Sequence, residues 1–236
     1  MMRKLNIFLV LLLSALLTVS AYMIRKDVSS QQKEKKEFEE LLEIIEMPEE
    51  TTDPTSTSMG TESVPNDTTE PEVTEPEVQT RNLAPLFEKN SECIGWIYIE
   101  GTNVNYPVMH TPDNPQKYLR KNFDGEYSQS GVPFLDARCS ADGGTAIIYG
   151  HNMKNGTQFS DLKKYLDADF RNSHQTIEFQ TEVGIRFYTV VDVIKTDIYD
   201  DIYNQIHSDD NTLILSTCYG SAKSGRLLII AKEATD

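Results

Sequence analysis

Apolar residues are arranged in three different ways along this chain. Residues 5–24 form a nearly unbroken apolar run, relieved only by Asn6, Ser14, Thr18, Ser20 and Tyr22 and flanked by Arg3-Lys4 and Arg25-Lys26. As a helix rising about 1.5 Å per residue, the run spans the roughly 30 Å hydrocarbon core of a bilayer. A cleaved signal peptide competes with this reading, because Val19-Ser20-Ala21 resembles a small-residue cleavage site. The run is longer than a usual h-region and basic residues follow it at once, which favours an uncleaved membrane anchor over 1–26. Over 29–46 the period changes. Phe38, Leu41, Leu42 and Ile45 fall at i, i+3, i+4 and i+7, one apolar stripe on a charged helix, so a juxtamembrane amphipathic helix is predicted over 27–47.

Residues 48–80 have no periodicity. Thr, Pro, Glu and Ser dominate, and TEPEV at 69–73 is repeated at 74–78. Such a segment buries too little apolar surface to offset its ordering entropy, and it reads as a disordered acidic linker acting as an extended spacer. From 82 to 233 short strand-like runs recur: 96–100, 104–109, 145–150, 176–181, 186–196, 212–218 and 226–233, separated by turn-rich segments such as PDNPQ, DGEYSQSG and SADGG. One helix is predicted over 159–170, with Ser160 as its N-cap and Phe159, Leu162 and Leu166 on one face. Many strands with few helices predict a mainly β domain over 81–236, a closed or nearly closed β-barrel. Nothing before residue 81 is expected to contribute to its site.

Charge narrows the function. Acidic residues outnumber basic ones 37 to 22 in the 236-residue chain, and 37–78 holds 14 Asp/Glu with no Lys or Arg. The remainder is nearly neutral, 22 basic against 37 − 14 = 23 acidic. No basic face remains to neutralise phosphates, so no nucleic-acid partner is expected. Cys93, Cys139 and Cys218 lie far apart without a C-x-x-C pair or a histidine at ligand spacing, which indicates neither a disulfide scaffold nor a zinc site. Asp197, Asp200, Asp201, Asp209 and Asp210 lack an EF-hand spacing and read as a solvated acidic loop. No metal and no cofactor is expected.

Three residues could carry chemistry. Cys218 ends an apolar strand and Arg226 opens the next, so a hairpin would bring them to one sheet edge. A buried core cysteine is the plainer reading of Cys218 alone. His151 follows the strand-like TAIIYG, with a glycine before it and an Asn/Gly-rich loop after, and alone it reads as a loop histidine bonded to backbone. Together they supply a nucleophile, a proton donor and an oxyanion stabiliser.

The segments KYLRKNFDGEYSQSGVPFLD, IIYGHNMKNGTQFSDLKKY and LSTCYGSAKSGRLLIIAKE resemble the sortases, cysteine transpeptidases of Gram-positive bacterial surfaces, and among them class B. The resemblance covers roughly 83–233. It implies an eight-stranded closed barrel with a few short helices, held at the cell membrane by a single pass with the catalytic domain outside. The positive-inside count alone would place that domain on the other side, because Arg25, Lys26, Lys33, Lys35 and Lys36 outnumber Arg3, Lys4 and the terminal amine.

By the same resemblance Cys218 is the nucleophile, His151 the general acid and Arg226 the oxyanion donor. Asn114, Leu119, Tyr199, Ile202, Ser216 and Thr217 are implied as walls of the substrate groove. The implied partners are a sorting-signal peptide and an amine from a cell-wall precursor or a surface protein such as a pilin. There are two departures. The usual T-L-x-T-C appears as Ile214-Leu215-Ser216-Thr217-Cys218, and the long helix that class B members often carry before the cysteine strand has room only for a short one near IYDDIYNQI. A membrane-tethered cysteine hydrolase and a non-catalytic surface-binding module are the alternatives.

Overall fold

The computed structural model describes residues 2–46, 81–204 and 211–234. The expected anchor and amphipathic helix are one continuous helix, α1 (Met2–Glu46), 45 residues long. No glycine or proline interrupts that stretch, and Pro48 stands two positions beyond its end, where proline stops helices. It is the one helix among the described residues long and apolar enough to cross a membrane. Its apolar first half is exposed, with Ile7, Phe8, Leu11, Leu16 and Leu17 all open to the surroundings. Its second half is docked on the barrel. Leu41 and Ile45 are buried in one cluster with Leu83, Leu86, Trp96, Met109, Tyr118, Phe123, Val132 and Phe134. Phe38 packs edge-on against Tyr106, ring centroids 5.0 Å apart.

This docking revises the spacer. The linker over 48–80 lies outside the described residues, but its flanks do not: the Asn82 amide donates to the Ile45 carbonyl at 3.2 Å. The segment therefore leaves and returns at one point, and does not separate the domain from the helix that precedes it.

After the short α2 (Ala84–Lys89), eight strands follow: β1 (Cys93–Tyr98), β2 (Asn105–Met109), β3 (Phe134–Leu135), β4 (Ala146–Tyr149), β5 (Thr176–Thr181), β6 (Ile185–Asp197), β7 (Thr212–Cys218) and β8 (Gly225–Glu233). They close into a barrel in the order β1-β2-β3-β4-β7-β8-β6-β5. The pairs β2/β3 and β4/β7 are parallel and the rest antiparallel. Seven strands overlap the predicted runs, with β1 starting three residues before the run at 96–100 and ending two residues short of it. The eighth, β3, is only two residues long and carries no alternation to read. Inside, Ile97, Ile99, Val108, Ile147, Phe179, Leu213, Leu215, Leu227 and Ile229 form a continuous core.

The helix predicted over 159–170 is instead two elements, a 3-10 helix (Phe159–Leu166) and α3 (Ala168–Ser173). Ser160 caps neither. It is buried inside the first, and the cap of α3 is Asp167, whose carboxylate accepts the Phe170 amide. The short helix before the cysteine strand is a 3-10 turn (Asp201–Asn204). Asp209 and Asp210 lie outside the described residues.

The docked stripe revises what the domain needs to fold. Fully burying a Leu or Ile side chain contributes about 1.5–3 kcal/mol, and a fragment starting at Arg81 loses two such contacts from α1. We expect fragment 81–236 to unfold at lower urea than fragment 28–236, by about 3–6 kcal/mol. Coincident urea midpoints would show that the Leu41–Ile45 contact contributes nothing.

Candidate active site

Three neighbouring strands deliver the candidate residues to one end of the barrel. β4 runs parallel to β7, with Tyr149 opposite Ser216, so the residues just past β4 lie level with the end of β7. That junction is laced: the Gly150 amide donates to the Ser216 carbonyl (3.1 Å) and the Thr217 hydroxyl to the Gly150 carbonyl (2.7 Å). Asn152 Nδ2 donates to the Cys218 carbonyl at 2.8 Å. β7 and β8 form the predicted hairpin, in which Cys218 pairs with Arg226. Its turn requires a glycine at 225, because a Cβ there would stand 2.2 Å from the Tyr219 carbonyl oxygen.

The result is an open cavity of about 430 Å³ whose lining includes His151, Cys218 and Arg226. Its walls are largely apolar and aromatic: Leu119, Val132, Phe134, Tyr149, Ile198 and Tyr203. Tyr149 lies stacked toward Tyr203, centroids 6.3 Å apart, and its ring centroid is 5.5 Å from that of Phe134. The Tyr203 hydroxyl and Ser216 Oγ are 2.8 Å apart. Beneath Tyr149, buried Asp136 accepts its hydroxyl (2.8 Å) and a two-pronged ion pair from Arg138, 2.9 Å at each prong. Burial pushes the Asp136 carboxyl up, but the Arg138 fork and the two O–H and N–H donors outweigh it and hold it at about 2. A carboxylate ionised at neutral pH thus fixes a tyrosine of the cavity wall.

Cys218 is exposed at the cavity, whereas Cys93 and Cys139 are buried. The buried-core reading of Cys218 is therefore overturned. Burial raises the Cys93 thiol to about 12 and pushes Cys139 up as well, so neither supplies a thiolate at neutral pH. His151 is half-buried and its Nε2 lies 2.9 Å from the Leu119 carbonyl. A carbonyl only accepts, so Nε2 carries the proton and Nδ1 is left for exchange. Burial lowers the imidazole's pKa; the Leu119 bond partly opposes this, and the charges of Arg120 and Arg226 add to the lowering. Arg226 uses Nη1 to donate to the carbonyls of Lys223 (3.1 Å) and Gly225 (2.8 Å). Its Nε and Nη2 protons have no acceptor among the described residues.

Of the implied groove residues, Leu119, Ser216 and Thr217 line the cavity. Asn114, Tyr199 and Ile202 do not. Asn114 is exposed in the turn before Gln116, Tyr199 is 81% exposed next to Ile198, and Ile202 packs on the core next to Tyr203. In the last two cases the neighbour in sequence faces the cavity. Tyr149, Phe134 and Gln116 were not anticipated; Tyr149 could have been, since a polar-tipped aromatic ending an otherwise aliphatic strand marks a strand mouth.

Comparison with known proteins agrees with this architecture. Residues 97–234 match the sortase domain family. A sortase B of Listeria monocytogenes is 40% identical over 110 residues, 46% of this chain and 44% of that protein. A sortase B of Staphylococcus aureus is 30% identical over 185 residues, 64% of this chain and 75% of that protein. Among solved structures, a Bacillus anthracis sortase B covers 89% of this chain and 100% of its own with a TM-score of 0.64 at 25% identity. A Staphylococcus aureus sortase B–substrate complex covers 64% of this chain and 83% of its own, with a TM-score of 0.56 at 26% identity. With its barrel, its cavity and these relatives in agreement, the chain belongs to the sortase family of cysteine transpeptidases, class B.

Proposed function

We propose that this protein cleaves a sorting-signal peptide through a Cys218 thioester and passes the acyl group to an amine of a cell-wall precursor or surface protein. The observation that carries the proposal is the single cavity in which the one exposed cysteine, a half-buried histidine and an arginine with free donors meet. A solved sortase B bound to its substrate supports the peptide as ligand class. α1 would hold the barrel at the outer face of the cell membrane, its first half crossing the bilayer.

The chemistry runs in two halves. The Cys218 thiolate attacks the scissile carbonyl carbon, and the electron pair moves to oxygen, where the free Nε and Nη2 protons of Arg226 can donate. Collapse of this tetrahedral species breaks the C–N bond, and protonated His151 gives its Nδ1 proton to the leaving amine. The thioester remains. An incoming amine returns a proton to Nδ1 as it attacks, and expulsion of sulfur restores the thiolate with a new amide bond.

The test is mass spectrometry of the protein incubated with candidate sorting peptides. The expected result is an adduct of the acyl fragment on the peptide containing Cys218, discharged by an added amine to an amide product. An adduct discharged only by water would make the protein a hydrolase. No adduct with any peptide would favour a binding module.

The reaction requires imidazolium together with thiolate, so its pH profile follows from the environment of His151. Because burial and two arginines lower that imidazole's pKa, a smaller fraction is protonated at pH 7 than for a free histidine at about 6.5. The acid limb of kcat/KM, which reports an ionisation of the free enzyme, is therefore expected below pH 6.5, where the lowered His151 imidazole titrates. An acid limb above 6.5 would contradict the burial of His151.

A further inference from the structure

We propose that Glu34, on the membrane helix, is a positioning residue for His151: its buried carboxylate clasps the loop that fixes the Leu119 carbonyl on the imidazole. The proposal rests on the reading of His151 as the proton donor. Glu34 is 8% exposed and shares the docked face of α1 with Phe38, Leu41 and Ile45. A carboxylate is rarely buried unless its oxygens are satisfied, and here three donors come from three consecutive residues. Ser128 Oγ and the Gln129 amide each donate to Oε1 at 2.8 Å, and Ser130 Oγ donates to Oε2.

From this clasp the contacts lead directly to the site. Ser128 Oγ accepts the Gly131 amide at 3.0 Å. Gly131, at φ +61°, lies against the next turn so closely that a Cβ would stand 2.5 Å from the Tyr118 carbonyl oxygen and 2.7 Å from that of Leu119. The Val132 amide donates to Tyr118 (3.1 Å), the Ser128 amide to Arg120 (3.0 Å), and Arg120 Nη1 to Gln129 (2.8 Å). The loop and the turn at 117–120 are thus one laced unit, and the Leu119 carbonyl of that unit holds His151 Nε2. Val132, in the same unit, lines the cavity. On its far side the turn is anchored separately by Glu92, which takes Lys117 and the Tyr118 hydroxyl. Losing Glu34 therefore loosens the turn without detaching it.

Because Nε2 is pinned, the proton for the leaving amine comes from Nδ1, and a turn that shifts frees the ring to exchange tautomers. A misplacement on the order of 1 Å can cost about 100-fold in rate. The test compares wild type, E34A and E34Q in the full chain in detergent micelles. Two readouts are taken: the His151 tautomer from ring 15N shifts, and kcat and KM for acylation by a sorting peptide. Glutamine keeps an oxygen for Ser128 and Gln129 and offers an amide proton that Ser130 Oγ can accept.

We expect E34A to lose the Nε2–H tautomer preference and to lower kcat by about tenfold or more with KM little changed, and E34Q to retain both. Unchanged tautomer and kcat in a folded E34A of reduced melting temperature would overturn the proposal and leave Glu34 a structural anchor. Should E34A fail to fold, S130A carries the same test, and wild-type readouts there would equally overturn it. The tautomer is read without turnover, so a failure of the transpeptidase reading, seen as no wild-type thioester, is distinguishable from a failure of the clasp.

Discussion

Replacing Cys218 by alanine is expected to abolish both peptide cleavage and acyl transfer, with a change in unfolding free energy within about 0.5 kcal/mol. The side chain is exposed at the end of β7 and contributes little packing, so its loss removes chemistry and leaves the barrel. The two other cysteines should behave in the opposite way. Cys93 and Cys139 are buried at 4% and 7% exposure in the two core clusters, so their alanine variants should lose about 1 kcal/mol of stability and keep their activity. An alkylating reagent should follow the same division at pH 8, modifying Cys218 first, because burial has pushed the other two thiols up. Equal loss of activity in all three variants would remove Cys218 as sole nucleophile.

What the sequence could convey depended on how local each signal was. The runs at 176–181 and 212–218 match β5 and β7 residue for residue, because alternating or continuous burial is written into strand composition. The pairing of Cys218 with Arg226 was readable from a short turn between two apolar runs. By contrast, β3 is a two-residue strand defined by its neighbours, Met109 on one side and Tyr149 on the other. The cavity wall Phe134 therefore had no signature of its own.

The stripe Phe38–Ile45 was legible as amphipathic, but amphipathicity does not name the surface that covers it. A membrane interface and the barrel cluster around Trp96 are equally apolar partners, and only the fold shows the second. The same limit explains the spacer. Composition reports that 48–80 has few core-forming residues, while the contact between Ile45 and Asn82 that brings its ends together is a tertiary fact. In the segment before the cysteine strand, the groove residues missed by one position, Tyr199 for Ile198 and Ile202 for Tyr203, show that a resemblance fixes the segment before it fixes the facing side chain.

Arg226 carries the second large effect. A strand-start arginine is usually a solvated ion-pairing residue of small energetic weight, yet this one has no carboxylate partner among the described residues. Its Nη1 is instead tied to the carbonyls of Lys223 and Gly225, inside the turn that brings β8 back beside Cys218. Those two bonds use one nitrogen of a planar fork and so fix the direction of the rest, and on the proposed mechanism Nε and Nη2 are left for the charge that develops on the scissile carbonyl oxygen. Lysine keeps the positive charge but has a single ammonium, which the same carbonyls would hold back in the turn. Losing a preorganised oxyanion donor typically costs roughly 3–4 kcal/mol, and each ~1.4 kcal/mol is tenfold in rate. Arg226→Lys should therefore lower the acylation rate by about two orders of magnitude or more, with Arg226→Ala at least as severe and both folding normally. Alanine should also move the acid limb of kcat/KM upward, because the Arg226 charge is one of the causes that depress the His151 pKa; lysine, retaining the charge, should leave that limb nearly in place. Single-turnover acylation measured across pH separates the two roles. Wild-type rates in the lysine variant would exclude the fork as oxyanion donor and leave Arg226 acting on His151 through its charge alone.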